Sequence, residues 1–252
     1  MAETAAVLEV DDVRRAFGGV RAVDGVSFAL ARGEIRALIG PNGAGKSTFF
    51  NILTGQLRAD AGEVRWRGRP ITGLPPHAIW RLGISRTFQI TATFATLTAL
   101  ENVQVARLAH VGRSHALLTP AERLEVGPSR ALLEQVDLLE QAARPAGVLA
   151  YGDLKKLELA IALANDPALL LLDEPTAGMA PGERGALMAL TARIARERGL
   201  TVLFTEHDMD VVFAVAERIM VLHQGRVIAD GTPAAVRADR EVQAVYLGEA
   251  PP

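Results

Sequence analysis

The sequence predicts an α/β fold: a core with a parallel β-sheet, an N-terminal antiparallel β lobe and a helical subdomain. Three observations support this class. Short β-like runs fill the first seventy residues, helix-spaced apolar residues fill the middle of the chain, and a strand, a helix and a strand then follow in that order.

The N-terminal part reads as a series of short strands. Short β-like runs occur at residues 7–10, 26–30 and 35–39, and a turn at Arg32-Gly33 separates the last two. A further run at 64–67 closes on a turn that contains glycine and proline. These runs predict strands of the β lobe and the first strand of the core.

The stretch from about residue 91 to 149 is different and predicts helices. Apolar residues have helical spacing over 97–108 and 131–139. Residues 119–122 have the form of a capping box, with proline at the first helical position. We interpret the stretch as a mostly helical insertion.

The chain then returns to the pattern of a parallel core. A helix is expected over 152–164, a strand over 168–172, a helix over 182–198 and a strand over 201–204. The strand at 168–172 is apolar at every position, which is typical of a central strand buried on both faces.

Composition limits the function. The 27 Lys and Arg residues nearly balance the 29 Asp and Glu residues, so the net charge of -2 gives no basic surface for nucleic acid, and we expect no nucleic-acid partner. The absence of cysteine excludes disulfides and thiolate chemistry and suits a reducing compartment. The N-terminus lacks signal-peptide features. No run approaches the ~18 to 20 apolar residues of a membrane span, so another subunit would have to cross any membrane.

One motif predicts a phosphate site. Residues 40–48 match G-x-x-x-x-G-K-[ST] between a strand and a helix, and we assign them to nucleotide binding: Gly40, Pro41, Asn42, Gly43, Ala44, Gly45, Lys46, Ser47 and Thr48. Backbone N–H groups and the helix N-terminus would surround the phosphates. Lys46 would reach the β- and γ-phosphates, and the Ser47 hydroxyl would bind Mg2+. The alternative is a glycine turn with an incidental lysine.

Two carboxylates follow the most apolar strand. Asp173 and Glu174 come directly after residues 169–172, at the sheet edge where α/β proteins bind ligands. Asp173 suits a metal shell, and Glu174 suits the polarisation of a water molecule. The alternative is a helix start, because Asp-Glu-Pro is also a capping sequence.

The order of these motifs resembles that of an ABC ATPase over essentially the whole chain. The P-loop, Gln89, the segment 149–153, Asp173-Glu174-Pro175-Thr176 and His207 occur in the family's order. The resemblance implies the ABC ATPase fold, with ATP and Mg2+ bound between two head-to-tail subunits.

We expect three regions on this basis. Residues 1–89 would form the P-loop core with the antiparallel β lobe, residues 90–160 a helical subdomain with the signature motif, and residues 161–252 the rest of the core and a C-terminal tail.

The resemblance assigns three further residues. Gln89 would contact Mg2+ and the attacking water, His207 the γ-phosphate, and Phe17 would stack on adenine. By this resemblance the catalytic residues are Glu174, His207, Gln89 and Lys46, with Ser47, Gln89 and Asp173 at the metal. The simpler alternatives are a surface glutamine, a solvated or capping histidine and a core phenylalanine.

The signature segment, residues 149–153, departs from the family's L-S-G-G-Q. Ala150 replaces the serine that would bond the γ-phosphate of the partner's ATP, while Gly152 is retained. Ala180 likewise replaces a polar residue in the D-loop, residues 177–180. These losses raise an alternative function: a nucleotide-gated dimerisation module with weak hydrolysis.

Within the family, residues 86–89, 178–181 and 245–248 resemble the larger ATPase subunit of branched-chain amino acid importers. The expected partners are transmembrane permease subunits, a second ATPase subunit in a heterodimer and, indirectly, a periplasmic solute-binding protein. The location implied is the cytoplasmic face of the inner membrane, as a peripheral protein. A soluble ABC protein of DNA repair or translation is disfavoured, since the chain has one cassette and no sustained heptad run.

Overall fold

Two β-sheets organise the residues that the computed structural model describes, namely 6–87, 93–112 and 124–247. The strands are β1 (Ala6–Phe17), β2 (Val20–Ala31), β3 (Ile35–Ile39), β4 (Ala61–Trp66), β5 (Arg69–Pro70), β6 (Ile84–Thr87), β7 (Leu169–Asp173), β8 (Thr201–Thr205), β9 (Arg218–His223) and β10 (Arg226–Gly231). The helices are α1 (Lys46–Leu53), α2 (Pro76–Arg81), α3 (Ala99–His110), α4 (Val126–Gln135), α5 (Tyr151–Leu163), α6 (Pro181–Arg198), α7 (Met209–Val215), α8 (Pro233–Ala238) and α9 (Arg240–Leu247).

The smaller sheet is the predicted antiparallel lobe, with the strand order β2-β1-β4-β5. β1, β2 and β4 are longer than the β-like runs that predicted them. The run at 64–67 is corrected at both ends, because the strand starts at Ala61 and stops at Trp66. Arg67 and Gly68 both have positive φ and form the turn.

The larger sheet has the order β10-β9-β3-β8-β7-β6 and confirms the parallel core. Strands β6 to β9 and β3 run parallel, and only β10 is antiparallel to its neighbour. β3, β7 and β8 are buried at every residue, which confirms the burial on both faces expected for the strand at 169–172.

The core lies on both faces of the larger sheet. On one face, α1 inserts Phe49 and Phe50 between the two sheets. On the other face, alternate residues of the same strands pack against the helices of the middle and C-terminal regions. The P-loop helix is therefore fixed between the sheets by its aromatic residues.

The helical region confirms two helices but corrects their limits. α3 starts at Ala99 rather than at 97, because Thr98 and Glu101 form a capping box. The helix expected over 131–139 is α4, which ends at Gln135, and the positive φ of Asp137 excludes its continuation. The capping box expected at 119–122 lies outside the described residues. The three-region division stays a prediction.

The region after His207 contains elements that the sequence did not predict: α7, β9, β10, α8 and α9. β9 pairs with β3 and extends the larger sheet beyond the P-loop strand. Within the described part of the chain, no helix combines the length and apolar character that a membrane crossing requires.

Candidate nucleotide site

The P-loop connects β3 to α1, as the motif predicts. Gly45 directly precedes α1 and has a left-handed backbone with φ of 107°. A Cβ atom at Gly45 would lie 2.0 Å from the carbonyl oxygen of Ala22 in β2, so only glycine fits here. The loop is thus packed against the β1–β2 hairpin, while Asn42, Gly43 and Ser47 are exposed at its surface.

Lys46 is the first residue of α1 and is buried. Its Nζ atom donates to the carbonyl oxygens of Gly40 at 2.6 Å and Pro41 at 3.1 Å, which draws the side chain along the loop. Burial lowers the pKa of Lys46, and the negative charges of Glu174 and Asp173 oppose that shift. The lysine and both predicted carboxylates therefore belong to one electrostatic site.

Asp173 ends β7 beside the end of β8, and both of its carboxylate oxygens are occupied. The Thr205 hydroxyl donates to Oδ1 at 2.9 Å, and the Arg86 guanidinium donates to Oδ2 at 2.7 Å. Asp173 and Thr205 are register partners in the parallel ladder. The sheet therefore fixes the orientation of this carboxylate.

Glu174 and His207 form a pair at the same edge of the sheet. The Nε2 atom of His207 lies 2.8 Å from Oε1 of Glu174, within hydrogen-bond distance. Glu174 has a positive φ of 48°, a conformation uncommon for a residue other than glycine. Its backbone N–H donates to the carbonyl and hydroxyl oxygens of Thr205, which stabilises this geometry. The Glu174 carboxylate is therefore held beside His207. It does not cap a helix, which was the alternative interpretation of the Asp-Glu-Pro sequence.

Phe17 lies at the end of β1 and is 48% exposed, which excludes the alternative of a core phenylalanine. The guanidinium carbon of Arg15 lies 4.8 Å from the ring centroid, so a cation covers one face. Phe17 belongs to the β1–β2 hairpin, and Gly45 of the P-loop lies against Ala22 of the same hairpin. An aromatic surface is therefore available beside the P-loop.

The signature segment leads into α5. Ala150 is the N-cap residue and makes no side-chain cap, and Gly152 is in the first turn. The Tyr151 hydroxyl donates to the Ala177 carbonyl at 2.8 Å, which links the segment to the D-loop of the same chain. The N-terminus of α5 thus presents backbone N–H groups without a side-chain acceptor.

Comparison with known proteins decides the family. The sequence profile for the ABC transporter matches residues 23–177, and a profile for the branched-chain amino acid ATP-binding cassette transporter matches residues 226–251. The chain is 43% identical to the high-affinity branched-chain amino acid transport ATP-binding protein BraF of Pseudomonas aeruginosa, over 97% of this chain and 98% of that one. The chain belongs to the ABC transporter family.

Solved ABC transporter cassettes share the architecture. An ATP-binding cassette in its ADP conformation superposes with a TM-score of 0.87, is 32% identical and covers 98% of this chain and 100% of its own. A dimeric bacterial ABC transporter cassette gives a TM-score of 0.76 at 26% identity, over 90% of this chain and 98% of its own. The predicted ABC ATPase fold is confirmed.

The structure adds two residues to the expected site of this ABC transporter chain and leaves one expected residue untested. Gln89 lies outside the described residues, so its role stays a prediction. Thr205 and Arg86 contact Asp173 directly, although the sequence analysis gave neither a role. The sequence did contain a signal for Thr205, because this threonine ends an apolar strand and directly precedes Glu206-His207.

Proposed function

We propose that the chain is the ATP-hydrolysing subunit of an importer for branched-chain amino acids or a related small polar solute. The pairing of Glu174 with His207 beside Lys46 and Asp173 is the observation that carries the ATPase assignment. The match of residues 226–251 and the similarity to a branched-chain amino acid transport protein support the substrate class.

Different residues of the chain have different roles in phosphoryl transfer. Lys46 neutralises charge on the β- and γ-phosphates, and the P-loop N–H groups orient them. Glu174 positions and polarises the attacking water. His207 pairs with Glu174 in this structure and would contact the γ-phosphate once ATP is bound. Gln89 would contact the water and the metal, and Phe17 would stack on adenine with Arg15 against its other face.

The donor set suits a magnesium ion that arrives with ATP. Among the described residues, no three His, Cys, Asp or Glu side chains form a group that could hold a metal. Mg2+ usually takes one or two protein oxygens together with phosphate oxygens and water. The exposed Ser47 hydroxyl and the held carboxylate of Asp173 fit that pattern. The ion would neutralise charge that develops on the phosphates.

The assembly follows from the family. The dimeric cassette among the structural relatives supports a pair of subunits. By the family resemblance the pair would be head-to-tail, with the α5 N-terminus of one subunit, at Ala150 and Gly152, facing ATP on the other. Transmembrane permeases would place this pair at the cytoplasmic face of the membrane, as a peripheral protein, and a periplasmic solute-binding protein would deliver the solute to them. The relatives favour this function over the dimerisation module with weak hydrolysis.

Uptake measurements test the proposal as a whole. Removal of the gene from its source cells should abolish energy-dependent uptake of leucine, isoleucine and valine, and the wild-type gene should restore it. The Glu174→Gln gene is the matched control and should not restore uptake. Unchanged uptake, with phosphate release by the purified chain intact, would contradict the substrate class alone.

Ala150→Ser tests a heterodimer with two unequal ATP sites. A partner with the signature serine would serve the ATP on this chain, whereas Ala150 would leave the partner's ATP without that hydroxyl. A serine hydroxyl that bonds a phosphate oxygen at the partner's site is worth roughly 1.5 to 3 kcal/mol, so hydrolysis there should rise by about 10- to 150-fold. The assay is single-turnover hydrolysis by the mixed dimer, with Glu174→Gln silencing this chain's own site.

Ala150→Asp is the matched control. Ala150 is an uncapped N-cap position, where serine and aspartate both stabilise α5 by about 1 kcal/mol. Aspartate, however, brings a negative charge toward the phosphates, so it should raise thermal stability without accelerating hydrolysis. An unchanged rate in Ala150→Ser would show that the missing serine is neutral and would contradict a difference between the two ATP sites that arises from Ala150.

A further inference from the structure

Arg86, near the end of β6, makes contacts that reach well beyond its own strand. Its side chain is 8% exposed, and its guanidinium carbon lies 5.6 Å from the ring centroid of Phe50. One terminal nitrogen donates to Asp173 Oδ2 at 2.7 Å, and the other donates to Asn51 Oδ1 at 2.7 Å. The guanidinium therefore joins the strand before Gln89, the P-loop helix and the predicted metal carboxylate.

The contact alters what Asp173 can do. The carboxylate is 4% exposed, so little water screens its interaction with the guanidinium. Thr205 holds Oδ1, and Arg86 holds Oδ2 and places a full positive charge beside it. A cation that approaches Asp173 meets a fixed carboxylate whose negative charge is largely offset.

We infer that Arg86 is a positioning residue that fixes Asp173 and limits its attraction for Mg2+. The inference rests on the ATP hydrolysis proposed above. Without Arg86, the carboxylate would bear its full charge and could rotate toward the metal. The metal–nucleotide complex would then bind more tightly, while the geometry required for turnover would be lost.

Arg86→Gln should separate these two effects. We expect Mg2+ to strengthen binding of a non-hydrolysable ATP analogue about tenfold more in this variant than in the wild type, with no difference in EDTA. Steady-state phosphate release should fall by about tenfold to hundredfold. In the Asp173→Asn background, Arg86→Gln should no longer alter Mg2+-dependent affinity, since the carboxylate through which it acts is absent.

Arg36 provides a matched control. It is a second buried arginine, 4% exposed, and it donates to Glu34 at 2.7 Å and Asp230 at 3.1 Å. Its guanidinium carbon lies 5.6 Å from the Phe28 ring centroid, the same distance that separates Arg86 from Phe50. Arg36→Gln removes an equivalent buried ion pair away from Asp173 and should not change the Mg2+-dependent affinity.

The outcomes are distinct. A Mg2+-dependent gain in affinity that disappears in the Asp173→Asn background supports the inference. No gain, or a gain that persists in that background, overturns it.

If Arg86→Gln does not fold, the variant Arg86→Lys provides the test. It should lower phosphate release at least tenfold more than Arg36→Lys, and equal rates in the two variants overturn the inference. Phosphate release by the wild type separately tests the proposed function, because the affinity comparison requires no turnover.

Discussion

Glu174→Gln is expected to retain ATP binding and to lower kcat by roughly 10²- to 10⁴-fold, the usual contribution of a general base. The amide keeps the shape of the carboxylate and can still bond His207, which lies 2.8 Å away. The backbone bonds to Thr205, which hold residue 174 at its positive φ, are independent of the side chain. Only the basicity is lost, so the ATP-bound dimer should accumulate.

Steady-state phosphate release measures the loss of turnover in Glu174→Gln, and size-exclusion chromatography with Mg-ATP measures the accumulation of the dimer. Glu197→Gln is a suitable control, because it removes the same charge from an exposed position on α6. That variant should have wild-type turnover and no trapped dimer. Wild-type turnover in Glu174→Gln would remove Glu174 from the role of base.

The sequence predicted those parts of the site that lie within one continuous segment. The P-loop requires nine consecutive residues between a strand and a helix, and Asp173-Glu174 follows directly from an apolar strand. Local pattern is sufficient there, because the geometry is set by neighbours in the chain.

The contacts around Asp173 could not be predicted in this way. They depend on the parallel register that places Thr205 opposite Asp173 and Arg86 opposite Leu171. These pairs are separated by 32 and by more than 80 residues, and nothing in the local sequence determines which strands are adjacent. For this reason the sequence indicated only that Arg86 belongs to a segment, residues 86–89, that resembles the importer subunits.

The β9–β10 hairpin illustrates a different failure. Gln224 and Gly225 both have positive φ, as the two central residues of a tight hairpin turn require. Glycine at the second position was a usable signal, but glutamine is uncommon at the first, so the turn was not recognised. The N–H of Gly225 donates to the Ala44 carbonyl at 2.9 Å, so the missed hairpin also contacts the P-loop.

Lys46→Ala is expected to weaken ATP binding by roughly 10²- to 10⁴-fold, because two charge-assisted phosphate contacts of about 1.5 to 3 kcal/mol each are lost. The change also removes the ammonium group that donates to the carbonyl oxygens of Gly40 and Pro41, so both oxygens would lose that donor. Calorimetric titration of the purified chain with ATP measures the affinity.

Lys156→Ala is the matched control for Lys46→Ala, since it removes the same side chain from α5, where Lys156 pairs with Asp153 at 3.5 Å. The isolated chain should bind ATP normally in that variant. If Lys46 only holds the loop through the Gly40 and Pro41 carbonyls, the two variants should bind ATP with equal affinity. That result would contradict the assignment of Lys46 to the β- and γ-phosphates, because the α1 N-terminus alone would then account for the affinity.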